Sequence, residues 1–519
     1  MRILSAFYDL KVSPVTFDIF EFLYQAEIER LNSSMDALDL IIIANDTNCG
    51  FPEEIVDSNS IGEQRWRLRN LVLPASSLLT SARRSVYCPT RDEAEWHIKN
   101  AEAVFPHGYS LQYPIASYLP SETLVAMYQG KKLGTFQAPV AARSAAQDWL
   151  QNHSDGRKPI TITLREATAH ISRNSNFKEW QKFIDWLDKD KYFAVLIPDT
   201  ASLFKQATDY FKDVTRFELG ALDLQLRLAI YEIAYLNMML SSGPGTLCFL
   251  DNSTRAIRFK MLAPGDETSN YASSGFQWGM QWPNSSTFQK SVWEEDSFET
   301  LVREFEEMVA VIERSVTTSP RPLPDIYQTI SLFLAGENTN SAETLLCQLL
   351  KDDPNDFQAM LLLAKARHIQ QDYSNAAETF EKVDSMARNN AEVNAGWGKS
   401  LLRNNQFPEA IAKLKRAIEI GTYDPFVTVD LADAYMSISE YQDALTHLRG
   451  SFATLEVDDV ANISLEVGKR LVCALLKTGG AEEAREVIVQ LRDRCGHHSE
   501  IVKEIQIFED SIKSQIGLK

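Results

Sequence analysis

Short apolar runs alternate with longer amphipathic stretches over the front part of the chain, up to about residue 315. The first two runs are residues 3–7 and 38–44, and between them apolar side chains recur at helical spacing. A second alternation starts near residue 158, with apolar runs at 159–164 and 192–197. Alternation of this kind is typical of α/β domains with mostly parallel sheets. We therefore predict two α/β lobes in this part of the chain.

Three smaller features of the same region are predicted from local pattern. The apolar runs 71–73 and 85–87 fit further strands of the first sheet. Asp296, with Glu299 three residues later, fits a capping box for a helix that begins near Phe298.

The last third of the chain repeats with a period of 34 residues. Small residues mark the period, and they are Ala342, Ala376, Ala410 and Ala444. Further small residues lie twelve positions earlier, and larger apolar residues four positions later, as expected where two helices of a pair approach closely. Ala484 breaks the period by following 40 residues after Ala444, with the acidic segment 456–459 in the extra length. Residues of roughly 325–519 thus resemble a tetratricopeptide repeat array, which implies a groove that binds a protein partner.

A proline-rich segment, residues 319–324, separates the two regions and is typical of a linker. We therefore predict four parts along the chain. They are an N-terminal α/β lobe (1–145), a C-terminal α/β lobe (146–316), the linker (317–325) and an all-α solenoid (326–519).

Composition narrows the classes of function. The formal net charge of -19 argues against a nucleic-acid partner, because proteins that bind the phosphate backbone need clustered Lys and Arg. Six scattered cysteines without a C-x-x-C pair are typical of reduced thiols. No stretch approaches the ~18 apolar residues of a membrane span, and the first apolar run is too short for a secretory signal. We expect a cytoplasmic protein with no transmembrane segment.

The segment 241–246, Ser-Ser-Gly-Pro-Gly-Thr, is the first candidate for binding chemistry. A serine followed by Gly-Pro and an apolar run fits a loop that enters a helix, with Ser242 near the N-cap and Pro244 near the first helical position. Backbone amides at such a helix start, together with the helix dipole, suit a phosphate or a diphosphate. A plain capped helix start is the alternative reading.

Arg165 is the second candidate, because it follows the apolar run 159–164 that opens the second lobe, and Arg173 comes shortly after it. An arginine at the carboxyl end of that strand would point toward a cleft between the lobes. Its planar guanidinium suits bidentate contact with a phosphate. A surface pairing of Arg165 with Glu166 is the alternative.

Several motifs of common enzyme classes are absent from the sequence. It contains no phosphate-binding P-loop, no dinucleotide-binding glycine motif after the first strand, no H-E-x-x-H and no G-x-S-x-G. The eight histidines are dispersed except for the pair 497–498. We therefore predict no metal site.

The front region resembles sugar-nucleotide-dependent glycosyltransferases of the GT-B architecture, and most of all the heptosyltransferase-like and fucosyltransferase-like branches. Three segments in order carry the resemblance: Thr-Ile-Thr-Leu-Arg-Glu at 161–166, Leu-Arg-Leu-Ala-Ile-Tyr-Glu-Ile-Ala at 226–234, and Leu-Ser-Ser-Gly-Pro at 240–244. The resemblance covers roughly residues 158–315 and is fainter for 1–140.

The resemblance implies a nucleotide-diphosphate sugar as co-substrate, with no bound metal and no other cofactor. The first lobe would take the acceptor and the second lobe the donor. Arg165 would contact the donor phosphates, Ser242 and Gly243 would receive the diphosphate, and Glu232 would lie near the donor ribose or sugar. A general base would come from the first lobe, with Asp9 and Asp18 as the choices. The donor-binding residues implied are Arg165, Arg173, Glu232, Ser242, Gly243 and Thr246.

Two departures from the glycosyltransferase pattern keep a second hypothesis open. The first strand-to-helix connection lacks glycine, and the repeats follow the transferase-like part, whereas they precede it in protein-modifying enzymes of this kind. The leading hypothesis is a glycosyltransferase with an unidentified glycan or protein acceptor, whose repeats recruit a protein partner. Peripheral association with membrane-bound glycan assembly is left open. The alternative is a non-catalytic interaction protein with an inactive transferase-like region.

Overall fold

A computed structural model gives the fold of the chain. It describes residues 1–47, 50–51, 61–166, 171–198, 210–261, 278–314, 321, 323–387, 389–422, 424, 426–454, 461–495 and 499–513. The chain forms two compact units, Met1–Gly336 and Glu337–Lys519. Part of the predicted linker and the acidic segment 456–459 lie outside the described residues. The predicted boundaries of the lobes, linker and solenoid stay predictions.

A four-stranded parallel sheet, in the order β3-β2-β1-β4, organises the first lobe. Its order leaves β1 and β2 in the centre, which agrees with their mainly apolar sequences. The elements are β1 (Ile3–Asp9), α1 (Asp18–Asn32), β2 (Ala37–Ile43), α2 (Ile61–Arg67), β3 (Ala82–Cys88), α3 (Arg91–Lys99), β4 (Ala103–Phe105) and α4 (Pro120–Tyr128).

The two short strands predicted in this lobe have different outcomes. Residues 85–87 lie within β3, so that prediction is confirmed. Residues 71–73 do not form a strand, because Leu68–Val72 is a π-helical turn that continues α2. Leu68, Leu71 and Val72 are buried together, and their spacing of three and four residues is that of a helix face.

A six-stranded parallel sheet, in the order β10-β9-β8-β5-β6-β7, organises the second lobe. The elements are α5 (Val140–Ser154), β5 (Lys158–Thr163), α6 (Phe177–Trp186), β6 (Tyr192–Ile197), β7 (Thr215–Arg216), α7 (Leu219–Leu222), α8 (Leu224–Ile233), β8 (Leu236–Leu240), α9 (Gly243–Leu250), β9 (Ala256–Phe259), β10 (Gln289–Ser291) and α10 (Phe298–Arg314). Helix α11 (Ile326–Ala335) follows and is the last helix of the unit Met1–Gly336. Helices α6 and α10 share a core with one face of the sheet, and α5, α8 and α9 share a core with the other face.

The predicted capping box of α10 is wrong. The hydroxyl of Ser297 accepts a hydrogen bond from the Thr300 amide and so caps the helix. The carboxylate of Asp296 is buried and accepts hydrogen bonds from the Asn176 amide and the Trp180 indole, each at 2.8 Å. Asp296 therefore joins α6 to the start of α10 and does not cap α10.

The two lobes share one hydrophobic core, which contains residues of α1 together with residues of α8 and α9. Phe17, which precedes α1, packs against Gly243 so closely that a Cβ atom there would lie 2.6 Å from the ring. The Asn284 amide also donates to the Tyr24 hydroxyl at 2.7 Å. The lobes are thus packed against each other along α1.

The C-terminal unit consists of helices that pair in sequence. They are α12 (Thr339–Asp352), α13 (Phe357–Ile369), α14 (Tyr373–Met386), α15 (Ala391–Arg403), α16 (Phe407–Ile420), α17 (Val427–Ser437), α18 (Tyr441–Thr454), α19 (Ala461–Lys477), α20 (Ala481–Cys495) and α21 (Ser499–Ile512).

The 34-residue period corresponds to helix pairing, as predicted. The repeat-marking residues Ala342, Ala376, Ala410 and Ala444 are all fully buried. A Cβ atom at Gly398 would lie 2.6 Å from the Leu414 side chain, so only a very small residue fits there. Within the described residues, none of the helices is both long and apolar enough to cross a membrane.

Candidate functional site

The carboxyl ends of three neighbouring strands carry the candidate site of the second lobe. Arg165 follows β5, Ser242 follows β8 and Lys260 follows β9. Because the strands are parallel and adjacent, these residues lie along one edge of the sheet. Ligands of open α/β sheets bind at this edge, so we call it the carboxyl edge.

Both predicted arginines lie at this edge. Arg165 donates from Nη1 to the Asn174 side-chain oxygen at 2.5 Å, and its own amide donates to the Ser175 hydroxyl at 2.8 Å. Arg173 donates from Nη2 to the Ser241 carbonyl oxygen at 3.1 Å. The Arg173 guanidinium is thereby held beside the residue that precedes the N-cap of α9, while the Arg165 guanidinium is held by Asn174 at the end of β5.

Helix α9 begins as the sequence predicted. Ser242 is its N-cap residue, with extended backbone angles, and Pro244 lies in the first turn. The Ser242 hydroxyl donates back to the Leu240 carbonyl at 3.3 Å and makes no capping bond to the helix. Thr246 lies within the helix and is partly exposed. The amide end of α9 therefore meets the carboxyl edge without a side-chain cap from Ser242.

Two further cations lie near this edge. Lys260 is 10% exposed and pairs with Glu295 at 2.9 Å. Arg258 is buried on β9, and its guanidinium stacks on the rings of Phe249 and Trp282 at 4.3 and 4.1 Å. The edge thus combines positive charge with a helix start, a combination suited to anions.

Asp18 is the predicted acid that the structure brings toward this cluster. Its carboxylate accepts a hydrogen bond from the Thr16 hydroxyl at 2.7 Å, at the start of α1. Burial raises the pKa of Asp18, while the Thr16 hydrogen bond and the charge of Arg173 act in the opposite direction. The electrostatic interaction of Asp18 with Arg173 links the two lobes.

Two further acids were missed by the sequence analysis: Glu21, which lies one helical turn after Asp18, and Glu122, whose charge acts on Glu21. Burial raises the pKa of Glu21 to about 8, and the charge of Arg258 opposes that shift. Both Glu21 carboxylate oxygens are buried without a hydrogen-bond partner among the described residues. Burial raises the pKa of Glu122 to about 7, although its carboxylate accepts from the Ser117 hydroxyl at 2.8 Å.

Asp9 lies on the other face of the first sheet, away from this cluster. Its neighbours in β1, Phe7 and Tyr8, belong to different cores because successive side chains point to opposite faces. The Asp9 carboxylate is fully buried and receives two hydrogen bonds from Arg91, at 2.9 and 3.1 Å, and one from the Tyr109 hydroxyl at 2.7 Å. These bonds use both carboxylate oxygens.

Glu232 lies at the opposite edge of the second sheet, because it precedes β8 while Ser242 follows it. It accepts a hydrogen bond from the Ala138 amide at 2.5 Å and pairs with Arg143 at 3.5 Å. Burial raises its pKa. An open cavity of about 670 Å³ adjoins it and is also lined by Asp251. The structure therefore does not bring Glu232 to the carboxyl edge.

The described residues contain no group of three or more His, Cys, Asp or Glu side chains arranged to hold a metal ion. This finding concerns those residues only.

The C-terminal unit has a cavity of about 590 Å³ that is formed mainly by α13 and α15. Charged side chains line it in two pairs, Lys365 with Glu392 and Lys399 with Asp424. His368 lies between them and contacts the Ser400 hydroxyl at 2.9 Å. Burial, together with nearby basic residues, lowers the pKa of His368. We call this cavity the groove cavity.

Comparison with known proteins concerns the repeats. The tetratricopeptide repeat family model matches residues 327–391. Among solved structures, MamA from Desulfovibrio magneticus RS-1 is 15% identical and covers 34% of this chain and 99% of its own, with a TM-score of 0.29. PilW, a type IV pilus biogenesis factor, is 17% identical, covers 37% and 93%, and has a TM-score of 0.29.

YrrB, described as a TPR protein with an unusual peptide-binding site, is 14% identical and covers 32% of this chain and 84% of its own, with a TM-score of 0.26. The comparison with curated proteins gives no match. The glycosyltransferase resemblance of the front region stays a prediction. The family match shows that the C-terminal part carries tetratricopeptide repeats, which support protein–protein interaction.

Proposed function

We propose that the front region is a metal-independent glycosyltransferase of GT-B type, and that the repeats recruit a protein partner to it. In this proposal a nucleotide-diphosphate sugar binds at the carboxyl edge of the second lobe. The first lobe takes a glycan or protein acceptor. No metal or other cofactor takes part, because fixed cations and a helix start stabilise the leaving diphosphate.

The observation that carries the proposal is that Arg173 is held at the start of α9, with Arg165 following the adjacent strand β5 at the same sheet edge. Asn174 holds the Arg165 guanidinium, and the Ser241 carbonyl holds that of Arg173. Guanidinium groups give charge-assisted, bidentate bonds to phosphate oxygens. The amide end of a helix adds partial positive charge at the same place. A diphosphate is the ligand that best matches two guanidinium groups and a helix start at one sheet edge.

Asp18 is the residue we propose as the general base. It is partly exposed, it lies in the lobe proposed for the acceptor, and its raised pKa makes it a stronger base than an ordinary aspartate. Asp9 is the weaker choice, because Arg91 and Tyr109 occupy its carboxylate. Ser242, Gly243 and Thr246 keep their proposed roles at the diphosphate. The proposed contact of Glu232 with the donor ribose or sugar would require the donor to reach the amino-terminal edge of the second sheet, where Glu232 lies.

The test is a thermal-shift titration of the full-length protein with UDP, GDP, ADP and CDP. Saturating ligand at a hundredfold excess over its dissociation constant stabilises the folded state by about 2.7 kcal/mol. We expect stabilisation by at least one of the four, and its loss in Arg165→Ala. Arg255→Ala is the matched control, since Arg255 precedes β9 and lies at the opposite edge of the same sheet. Undiminished stabilisation of Arg165→Ala would refute the assigned site.

A non-catalytic scaffold is the second candidate, and one observation favours it. Phe17 packs directly against Gly243, so an aromatic ring lies beside the proposed phosphate site. The core that continues from α1 into α9 also makes the two lobes one packed body. The two candidates differ in turnover: transfer or hydrolysis of a sugar donor that is lost in Asp18→Asn supports the enzyme. Absence of turnover with every donor supports the scaffold.

A further inference from the structure

An exposed tryptophan, Trp278, lies near the carboxyl end of β10, the strand next to the one that Lys260 follows. Trp278 is 63% exposed, whereas Trp293, on which its ring leans, is 4% exposed. The two ring centroids are 6.0 Å apart with an interplanar angle of 42°. Trp278 therefore presents a free ring face to solvent while its other side is supported.

The segment that carries Trp278 is anchored beside β10. The Trp293 indole donates to the Met280 carbonyl at 2.8 Å, and the Gln281 side chain exchanges hydrogen bonds with the backbone of Ser291 at 2.8 and 3.2 Å. These bonds fix the start of the segment relative to the sheet. Trp278 thus lies two residues before an anchored position.

Backbone contacts connect this tryptophan pair to the carboxyl edge. Trp293 follows β10, the neighbour of β9 in the sheet. The Lys260 amide donates to the Glu294 carbonyl, and the Met261 amide donates to the Val292 carbonyl, each at 3.2 Å. Lys260 and the chain around Trp293 are therefore direct neighbours at the edge where Arg165 and Ser242 also lie.

Trp293, which supports the Trp278 ring, also lies on the α9 face of the sheet. Trp293 belongs to the same core as the residues of α9, and this core covers the α9 face of the sheet. Adjacent strands are about 4.8 Å apart, so the ends of β8 and β10 are separated by about 10 Å. That separation matches the distance from the diphosphate of a nucleotide to its base.

We infer that Trp278 is the platform on which the nucleobase of a nucleoside-diphosphate ligand stacks. The inference rests on the proposed function, which places the diphosphate at the start of α9. It adds a recognition element for a planar ring at the β10 end of that edge. Stacking of a base on an exposed indole needs no particular hydrogen-bond pattern, so Trp278 contributes affinity for the nucleoside more than choice among bases.

The experiment compares two ligands by isothermal titration calorimetry on the full-length protein. One ligand is the nucleoside diphosphate with the largest thermal shift among UDP, GDP, ADP and CDP, and the other is inorganic pyrophosphate. Trp278→Ala is expected to bind the nucleoside diphosphate about tenfold more weakly, and to bind pyrophosphate as the wild type does. Trp278→Phe is expected to keep most of the affinity, because it keeps an aromatic face.

Trp96→Ala is the matched control, since Trp96 is 60% exposed on α3 of the first lobe. Equal nucleoside-diphosphate affinity in Trp278→Ala and wild type would overturn the inference. A parallel loss of pyrophosphate binding would also overturn it, because the residue would then support the fold and not the base. Wild-type protein that binds neither ligand would refute the proposed function itself.

Discussion

Replacing Glu21 with glutamine is expected to remove a pH-dependent destabilisation of the folded protein. Glu21 is 4% exposed on α1, and neither of its carboxylate oxygens has a hydrogen-bond partner among the described residues. The charged groups around it are Arg258, which favours the carboxylate, and Asp18 and Glu122, which disfavour it. Burial is the largest influence and raises the pKa from 4.5 to about 8. At pH values between 4.5 and about 8, the folded protein therefore holds a proton on Glu21 that the unfolded chain releases.

The sign and size of the effect follow from that difference in proton binding. The stability associated with the proton is fully present below pH 4.5 and is lost as the pH rises to about 8. Each unit of pKa difference corresponds to about 1.4 kcal/mol. The glutamine of Glu21→Gln cannot ionise. The difference in free energy of unfolding, variant minus wild type, should therefore rise by about 3 kcal/mol between pH 5 and pH 8.

The assay is urea denaturation at pH 5, 6.5 and 8, followed by tryptophan fluorescence. Eight of the nine tryptophans lie in residues 1–336, so the signal reports the unit that contains Glu21. Glu306→Gln is the control, because Glu306 is an exposed glutamate on α10 of the same unit. A difference between Glu21→Gln and wild type that stays constant over the three pH values would refute the reasoning, as would a loss of stability at pH 8.

Three further substitutions test the packing. Gly243→Ala should destabilise the unit Met1–Gly336 by about 1–3 kcal/mol, because the new methyl group meets the Phe17 ring. Adding Phe17→Ala to the same chain should relieve most of that loss. Losses of stability that simply add in the double variant would contradict the contact. Arg91→Ala should cost about 3–5 kcal/mol by leaving the Asp9 carboxylate buried without its ion pair, and urea denaturation that detects less than about 1 kcal/mol would contradict the pair. Gly398→Ala should cost about 1–3 kcal/mol in the helical unit, as measured by circular dichroism during denaturation.

The 34-residue period made the repeat helices predictable, because helix pairs need a small residue at every close approach. Ala376, Ala410 and Gly398 are therefore visible in the sequence as steric requirements. The start of α9 was predictable for a similar reason, since Ser-Gly-Pro combines a cap position, a close approach and a residue suited to the first turn. These predictions rest on short-range geometry.

The errors have two causes, namely a helix face that resembles a strand when taken alone, and side chains whose partners are distant in sequence. Residues 71–73 look like a strand when isolated, but they continue the face of a helix that begins at Ile61. The catalytic assignment of Asp9 stays a prediction, and the alternation of side chains along β1 decides which face of the sheet it joins. Glu21 lies in a helix whose residues 19–28 are all buried, and the charges that act on it include Arg258 and Glu122, which are distant in sequence. The role of Asp296 was also not visible locally, because its hydrogen-bond partners Trp180 and Asn176 are 116 and 120 residues away.

Titration of inorganic pyrophosphate into the full-length protein by calorimetry tests most directly whether the carboxyl edge holds a diphosphate. We expect saturable binding to the wild type and to Arg255→Ala. In Arg165→Ala/Arg173→Ala the affinity should fall at least tenfold, since hydrogen bonds to charged groups are worth about 1.5–3 kcal/mol each. No heat of binding in the wild type, or equal affinity in the double variant, would contradict the account.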